Sequence, residues 1–164
     1  MNYPPNVEAA CFFAGEILPL VREVVPHARF HIVGADPVPE VRALASDAVV
    51  VHGRVPDVRP FLAASEVVVV PVRSGGGTRL KVLEAAASGK PIVSTRLGVE
   101  GLAFGADDLL LADDAPDFAC AVVGLLGDPK ARQAIGSRAR LVAGRYQWST
   151  IGEEFRRIIE QLTF

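Results

Sequence analysis

Apolar residues recur at helical spacing from the start of the chain. Val7, Ala10, Ala14, Ile17, Leu18 and Val21 share one face of a helix predicted over residues 6–25. Asn6 is placed to cap it, Pro19 predicts a kink or break within it, and Pro26 ends it. Short apolar runs then alternate with amphipathic stretches. A strand over residues 29–33 closes at Gly34, a short helix follows over 37–45, and a strand over 49–52 closes at Gly53. Asp57 caps a helix over 58–64. Residues 67–72 read VVVVPV, an unbroken apolar run that predicts a strand buried on both faces, as in a parallel sheet. A helix over 78–87 stops at Gly89, strands follow at 91–95 and 108–111, and helices over 116–126, 129–145 and 149–161 complete the chain. This alternation predicts an α/β fold with a Rossmann-like, doubly wound, mostly parallel sheet. In such sheets ligands lie at the carboxyl ends of the strands, here the loops 34–39, 53–57, 73–77 and 96–101.

The first helix lacks the strand that usually opens a doubly wound sheet. The expectation is therefore a fragment of a larger two-domain protein, cut within or just after its first strand, with residues 1–164 forming a single domain. Composition narrows the field. The 164 residues suit one domain with a real core, and half of them (50%) are hydrophobic. A net charge of -2 lacks the basic excess of a nucleic-acid binder. No apolar run approaches the roughly 18 residues that a membrane span needs. The opening residues, MNYPPN, do not read as a signal peptide. Cys11 and Cys120 sit in apolar helical contexts and read as buried thiols, which makes the cytoplasm the natural compartment.

The candidate chemistry is concentrated in residues 71–102, PVRSGGGTRLKVLEAAASGKPIVSTRLGVEGL. An apolar strand runs into Gly75, Gly76 and Gly77, and a helix carrying Arg79, Lys81 and Glu84 follows. Glycines ahead of a helix let the backbone approach a ligand, and the unbonded N–H groups of the helix start attract phosphate. Lys81 and Glu84, at i and i+3, project from one side of that helix, so one can serve a phosphate and the other a sugar hydroxyl. A plain flexible turn and a surface Lys81–Glu84 ion pair are the competing explanations. Arg73 either lines the cleft or covers the strand end. His27, His31 and His52 form no metal pattern, the Asp107–Asp108 and Asp113–Asp114 pairs read as turns and caps, and no metal site is expected. The segment ASGK before Pro91 fails the spacing of a nucleotide-triphosphate loop, and Gly34 stands alone where a dinucleotide fingerprint needs further glycines.

These stretches, ARFHIVGADPVPEVRALA and VVVHGRVPDVRPFLAASEVVVVPVRSGGGTRLKVLEAAASGKPIVSTRLGVEGL, closely resemble the C-terminal half of GT-B-fold group 1 glycosyltransferases, most of all bacterial sugar transferases of exopolysaccharide assembly. The resemblance covers nearly the whole chain. It implies that this half binds a nucleoside-diphosphate sugar as donor substrate, with no cofactor or metal, in polysaccharide biosynthesis. The base would pack on the loop of Gly53, Arg54, Val55, Pro56 and Asp57. The diphosphate would meet Gly75, Gly76, Gly77, Thr78 and Arg79, and Glu84 would take the ribose hydroxyls. Arg79 and Lys81 are the expected catalytic cations, stabilising charge on the leaving phosphate. The sequence departs from relatives that carry a further glutamate near the transferred sugar, because Gly76 stands there. It also lacks their Arg and Lys pair after the first strand, and the acceptor domain. The expectation is donor binding without turnover by this chain alone. The full enzyme would sit in the cytoplasm, with peripheral membrane association open. Alternatives from other classes are half of a sugar-nucleotide epimerase and a non-catalytic nucleotide-binding or interaction module. For Arg54 and Asp57, a solvated charge and a helix cap stand beside the base-loop reading.

Overall fold

The computed structural model describes residues 1–162. The chain opens on one long helical rod, α1 (Pro4–Phe12), a π-helical turn (Phe13–Ile17) and α2 (Leu18–Val24). The rod starts two residues before the expected point, with Pro4 and Pro5 in its first turn, where a missing N–H costs nothing. Asn6 is therefore not its cap, and its side chain turns elsewhere. The expected disturbance at Pro19 is taken up just ahead of it. Leu18 N–H bonds back to Phe13 O, and the widened turn accommodates a residue that cannot donate.

Five strands follow, all paired in parallel: β1 (Phe30–Val33) with β2 (Val49–Gly53), and β3 (Val68–Val70) with β4 (Ile92–Ser94) and β4 with β5 (Leu110–Leu111). The pairing is parallel throughout, as the alternation predicts, and forms two ladders, β1–β2 and β3–β4–β5. Among the described residues no ladder joins β1 to β3, so the run 67–72 is only partly enclosed. Val67, Val68 and Val69 are half-buried, whereas Val70, Pro71 and Val72 are buried.

The strands are joined through α3 (Pro39–Arg42), α4 (Arg59–Ala64) and α5 (Leu80–Ala87), and α6 (Ala115–Gly127), α7 (Pro129–Ala143) and α8 (Trp148–Leu162) follow β5. β4 shows why helices cover both faces. Ile92 enters a core shared with Val82 and Ala85 of α5 and Ala139 of α7, while its neighbour Val93 enters one shared with Phe13, Ile17 and Phe118. The α5–α7 contact is close. A Cβ on Gly136 would lie 2.1 Å from Gly89 O, so only glycine lets α7 press against the end of α5. One expectation is corrected at α6: Cys120 is exposed and Cys11 half-buried. Cys120 falls off the buried stripe formed by Phe118, Ala119, Val122 and Leu125, which is flanked by the partly buried Ala115, Ala121, Val123 and Leu126.

Candidate functional site

The loop between β3 and α5 is held on both sides. Thr95, buried at the end of β4, donates through Oγ1 to Val72 O (2.5 Å) and accepts from Gly98 N–H (3.0 Å), tying the glycine-loop stem to the 96–101 loop. Beyond Val72 the backbone takes left-handed values at Gly75 (φ 85°) and Gly77 (φ 88°), which side chains rarely adopt. At Gly75 a Cβ would also lie 2.6 Å from Pro5 Cγ, whereas Gly76 and Gly77 border open space.

Helix α5 begins at Leu80, two residues later than expected, because Arg79 remains outside helical geometry (φ −85°, ψ 75°). The delay matters for chemistry. Leu80 N–H bonds to Thr78 O and Val82 N–H to Arg79 O. Among the described residues, the N–H groups of Gly76, Gly77, Thr78 and Arg79 have no acceptor. Exposed donors in sequence at a helix start suit an anion. The prolines deny the same property to the start of α1, where Asn6 and Val7 N–H are both taken by Tyr3 O.

The side chains of this segment separate in role. Arg79 is 7% exposed and folds back, donating from its two terminal nitrogens to Gly76 O (3.0 Å) and Gly75 O (2.8 Å), while its Nε finds no partner among the described residues. Lys81 Nζ donates to Asn6 Oδ1 at 2.6 Å. Desolvation, with the Arg79 charge adding to it, lowers the Lys81 ammonium below the ordinary lysine value. Glu84 is exposed one turn further along α5. Among the described residues it makes no ion pair with Lys81, so that competing explanation of the spacing finds no support here. Arg73 is exposed, pairs with Glu8 (3.5 Å) and lies 4.2 Å from the Phe12 ring centroid.

At the carboxyl ends of β1 and β2, Asp36, Pro37, Arg42, His52, Gly53 and Arg54 border an open cavity of about 430 Å³. Asp36 holds a left-handed backbone (φ 51°) and pairs with Arg54 at 3.3 Å. Asp57 accepts from Arg59 N–H (2.9 Å) and pairs with the Arg59 guanidinium, which holds its carboxyl below the usual range. Val55 is half-buried beside them. The expected base loop thus contains an exposed Asp36–Arg54 ion pair and a local turn in which Asp57 bonds Arg59, while the N-cap of α4 itself is Val58, one residue beyond the expected Asp57. Sequence reasoning missed Asn6, Glu8, Ser74 and Asp36, whose contacts join positions far apart in the chain. Polar Asn6 and Glu8 on a largely apolar helical start were the local signal for the first three.

The profile of the family described as "Glycosyl transferases group 1" matches residues 1–128. A phosphatidyl-myo-inositol mannosyltransferase of Mycolicibacterium smegmatis is 30% identical over 155 residues, covering 89% of this chain and 40% of that protein. The chain therefore spans well under half the length of this curated relative. Among solved structures, sucrose-phosphate synthase from Thermosynechococcus elongatus superposes with a TM-score of 0.68 at 23% identity, over 87% of this chain and 42% of the other. Anabaena HepE in complex with UDP superposes at 0.72 and 17% identity, over 89% and 45%. At these identities the superpositions establish a common fold: a mixed α/β domain of the glycosyltransferase type.

Proposed function

The chain belongs to the group 1 glycosyl transferases, and from that premise we propose that it is the donor-binding domain of an enzyme that transfers a sugar from a nucleoside-diphosphate sugar. The observation that carries this reading is the row of unpaired N–H groups from Gly76 to Arg79 at the start of α5, with the Lys81 ammonium and the Glu84 carboxylate on the turn behind it. The UDP held by the HepE structure is a ligand of the proposed class.

In this reading the diphosphate rests on the N–H groups of Gly76, Gly77, Thr78 and Arg79, and Glu84 accepts hydrogen bonds from the ribose hydroxyls. The base lies toward Arg54 and Val55. Breaking the bond between the anomeric carbon and the diphosphate builds negative charge on the leaving oxygen. Fixed N–H dipoles and Lys81 stabilise that charge more in the transition state than in the ground state, each such donor contributing about 3 kcal/mol in a dry site. This cationic cradle does the work a bound metal would otherwise do, so the proposal includes no metal. The acceptor site is assigned to a separate domain. The acceptor itself is assigned to polysaccharide biosynthesis on the cytoplasmic side, with a membrane-attached acceptor within its scope. Among the described residues no helix is long and apolar enough to cross a membrane.

Thermal-shift titration with UDP, GDP and their sugar conjugates tests the reading, since a ligand of the native state raises apparent stability. A specific rise is expected, with amide NMR shifts confined to residues 75–84 and 53–57. No stabilisation by any nucleoside diphosphate, or shifts outside both segments, overturns it.

A further inference from the structure

Arg79 is the residue whose placement departs furthest from the chemistry its type suggests. A cation beside a phosphate cradle is ordinarily a phosphate ligand, yet this guanidinium is buried and spends both terminal nitrogens on Gly75 O and Gly76 O. The peptides concerned are trans. In a trans peptide the C=O of one residue and the N–H of the next point in opposite directions. Holding Gly75 O and Gly76 O toward the guanidinium therefore turns the N–H groups of Gly76 and Gly77 the other way. These two N–H groups are without acceptors among the described residues. We infer that Arg79 is a positioning residue: its guanidinium aims the Gly76 and Gly77 N–H groups at the anion without itself touching phosphate. The inference rests on the donor-binding reading and changes the role of one side chain within it.

The loop needs such a device. Three successive glycines carry a large conformational freedom, and an unrestrained loop would present its N–H groups in many directions at an entropic cost to each binding event. The remaining anchors act on the other stem. Ser74 Oγ donates to Glu8 Oε2 (2.5 Å), Arg73 pairs with the same carboxylate, and Pro5 sits against Gly75. They fix where the loop begins. They do not set the direction of the Gly75–Gly76 and Gly76–Gly77 peptide planes, which only Arg79 grips among the described residues. Lysine could supply the charge at this position but not the planar two-pronged fork that holds two carbonyls at once.

Two measurements decide the matter. In the wild-type protein titrated with UDP, the amide signals of Gly76 and Gly77 should shift strongly while the Arg79 Nε–Hε signal stays in place. A comparable Nε–Hε shift would mean that the guanidinium meets phosphate directly and would overturn the inference. In Arg79→Lys the charge is kept and the fork lost. Affinity for UDP should fall about tenfold or more, and the backbone heteronuclear NOE of residues 75–77 should drop even without ligand as the loop loosens on the ps–ns timescale. UDP affinity within about twofold of wild type, or an unchanged NOE, overturns the inference. Wild-type protein that binds neither UDP nor GDP sinks the donor reading instead, and the NOE measurement then decides the loop-orienting role by itself.

Discussion

The loops that follow β3 and β2 use similar residues for different ends. Both contain glycine at positive φ, an arginine and a nearby carboxylate. In the loop after β3 the arginine is buried, its bonds go to backbone carbonyls, and the N–H groups are left for a ligand. In the loop after β2 the arginine is exposed and its bond goes to Asp36, a side chain as solvated as itself. A buried fork that holds two backbone carbonyls at once fixes geometry, because its planar donors are pre-aligned and the guanidinium itself is shielded from water. An exposed ion pair fixes little, contributing at most about 1 kcal/mol. The first loop is preorganised and the second adaptable. That division suits a site that must grip a diphosphate rigidly and accept a flat base by packing.

The largest test of this contrast exchanges glycine for a branched residue in each loop. Gly75→Val meets both a left-handed φ and Pro5, and should cost about 2–5 kcal/mol in chemical denaturation with loss of UDP binding. Gly53→Val meets the same kind of φ (71°) in open space and should cost about 1–2 kcal/mol. Equal costs would erase the distinction between the loops. Next in size, Glu84→Ala should weaken UDP binding by about 1.5–3 kcal/mol in calorimetry, the range for hydrogen bonds to a charged group. Glu100→Ala, on the 96–101 loop, should stay within about 0.5 kcal/mol. Matching losses would remove the ribose role.

Lys81 offers a smaller, pH-dependent test. Its ammonium is held below the ordinary value of 10.5, so it loses its proton earlier than a free lysine as pH rises. UDP affinity should decline on the alkaline side by roughly tenfold, the scale of one charged hydrogen bond. Lys81→Arg should flatten that decline, because guanidinium stays charged. A wild-type profile that is already flat would take Lys81 out of the site.

The smallest effect lies beside the second loop. His31 Nδ1 and His52 Nε2 approach to 2.9 Å with stacked rings, and desolvation, then the charges of His52 and Arg29, lower the His31 value below 6.5. A lowered folded-state value means that the unfolded chain binds more protons just below pH 6.5. Stability should therefore be whole above that pH and decline as pH falls through the window beneath it. His31→Asn should shallow that slope in denaturation curves. A slope unchanged by the substitution would show that the pair does not control it.

Much of the local structure was legible because its causes are local. Asp114 caps α6 through Asp117 N–H, Asp128 caps α7 through Lys130 and Ala131 N–H, and Gly89 closes α5 at a φ of 68°. Each involves residues within a turn of one another, so spacing alone points to it. The glycine loop ahead of a basic helix start was legible for the same reason. What escaped were contacts across the chain: Asn6 read as a cap but holds Lys81, Glu8 reaches Ser74, and His31 meets His52.

The alternation of apolar runs, caps and glycine stops fixed the α/β architecture, the parallel strands and the address of the candidate site, because periodicity and turn chemistry are written within a few residues. Which way Arg79 faces, which peptides it turns and which strands share a sheet depended on the approach of α1 to the β3–α5 loop and on pairing between distant strands. Those are decided by packing, where burial removes water and leaves a charged side chain to bond with whatever backbone lies within its reach.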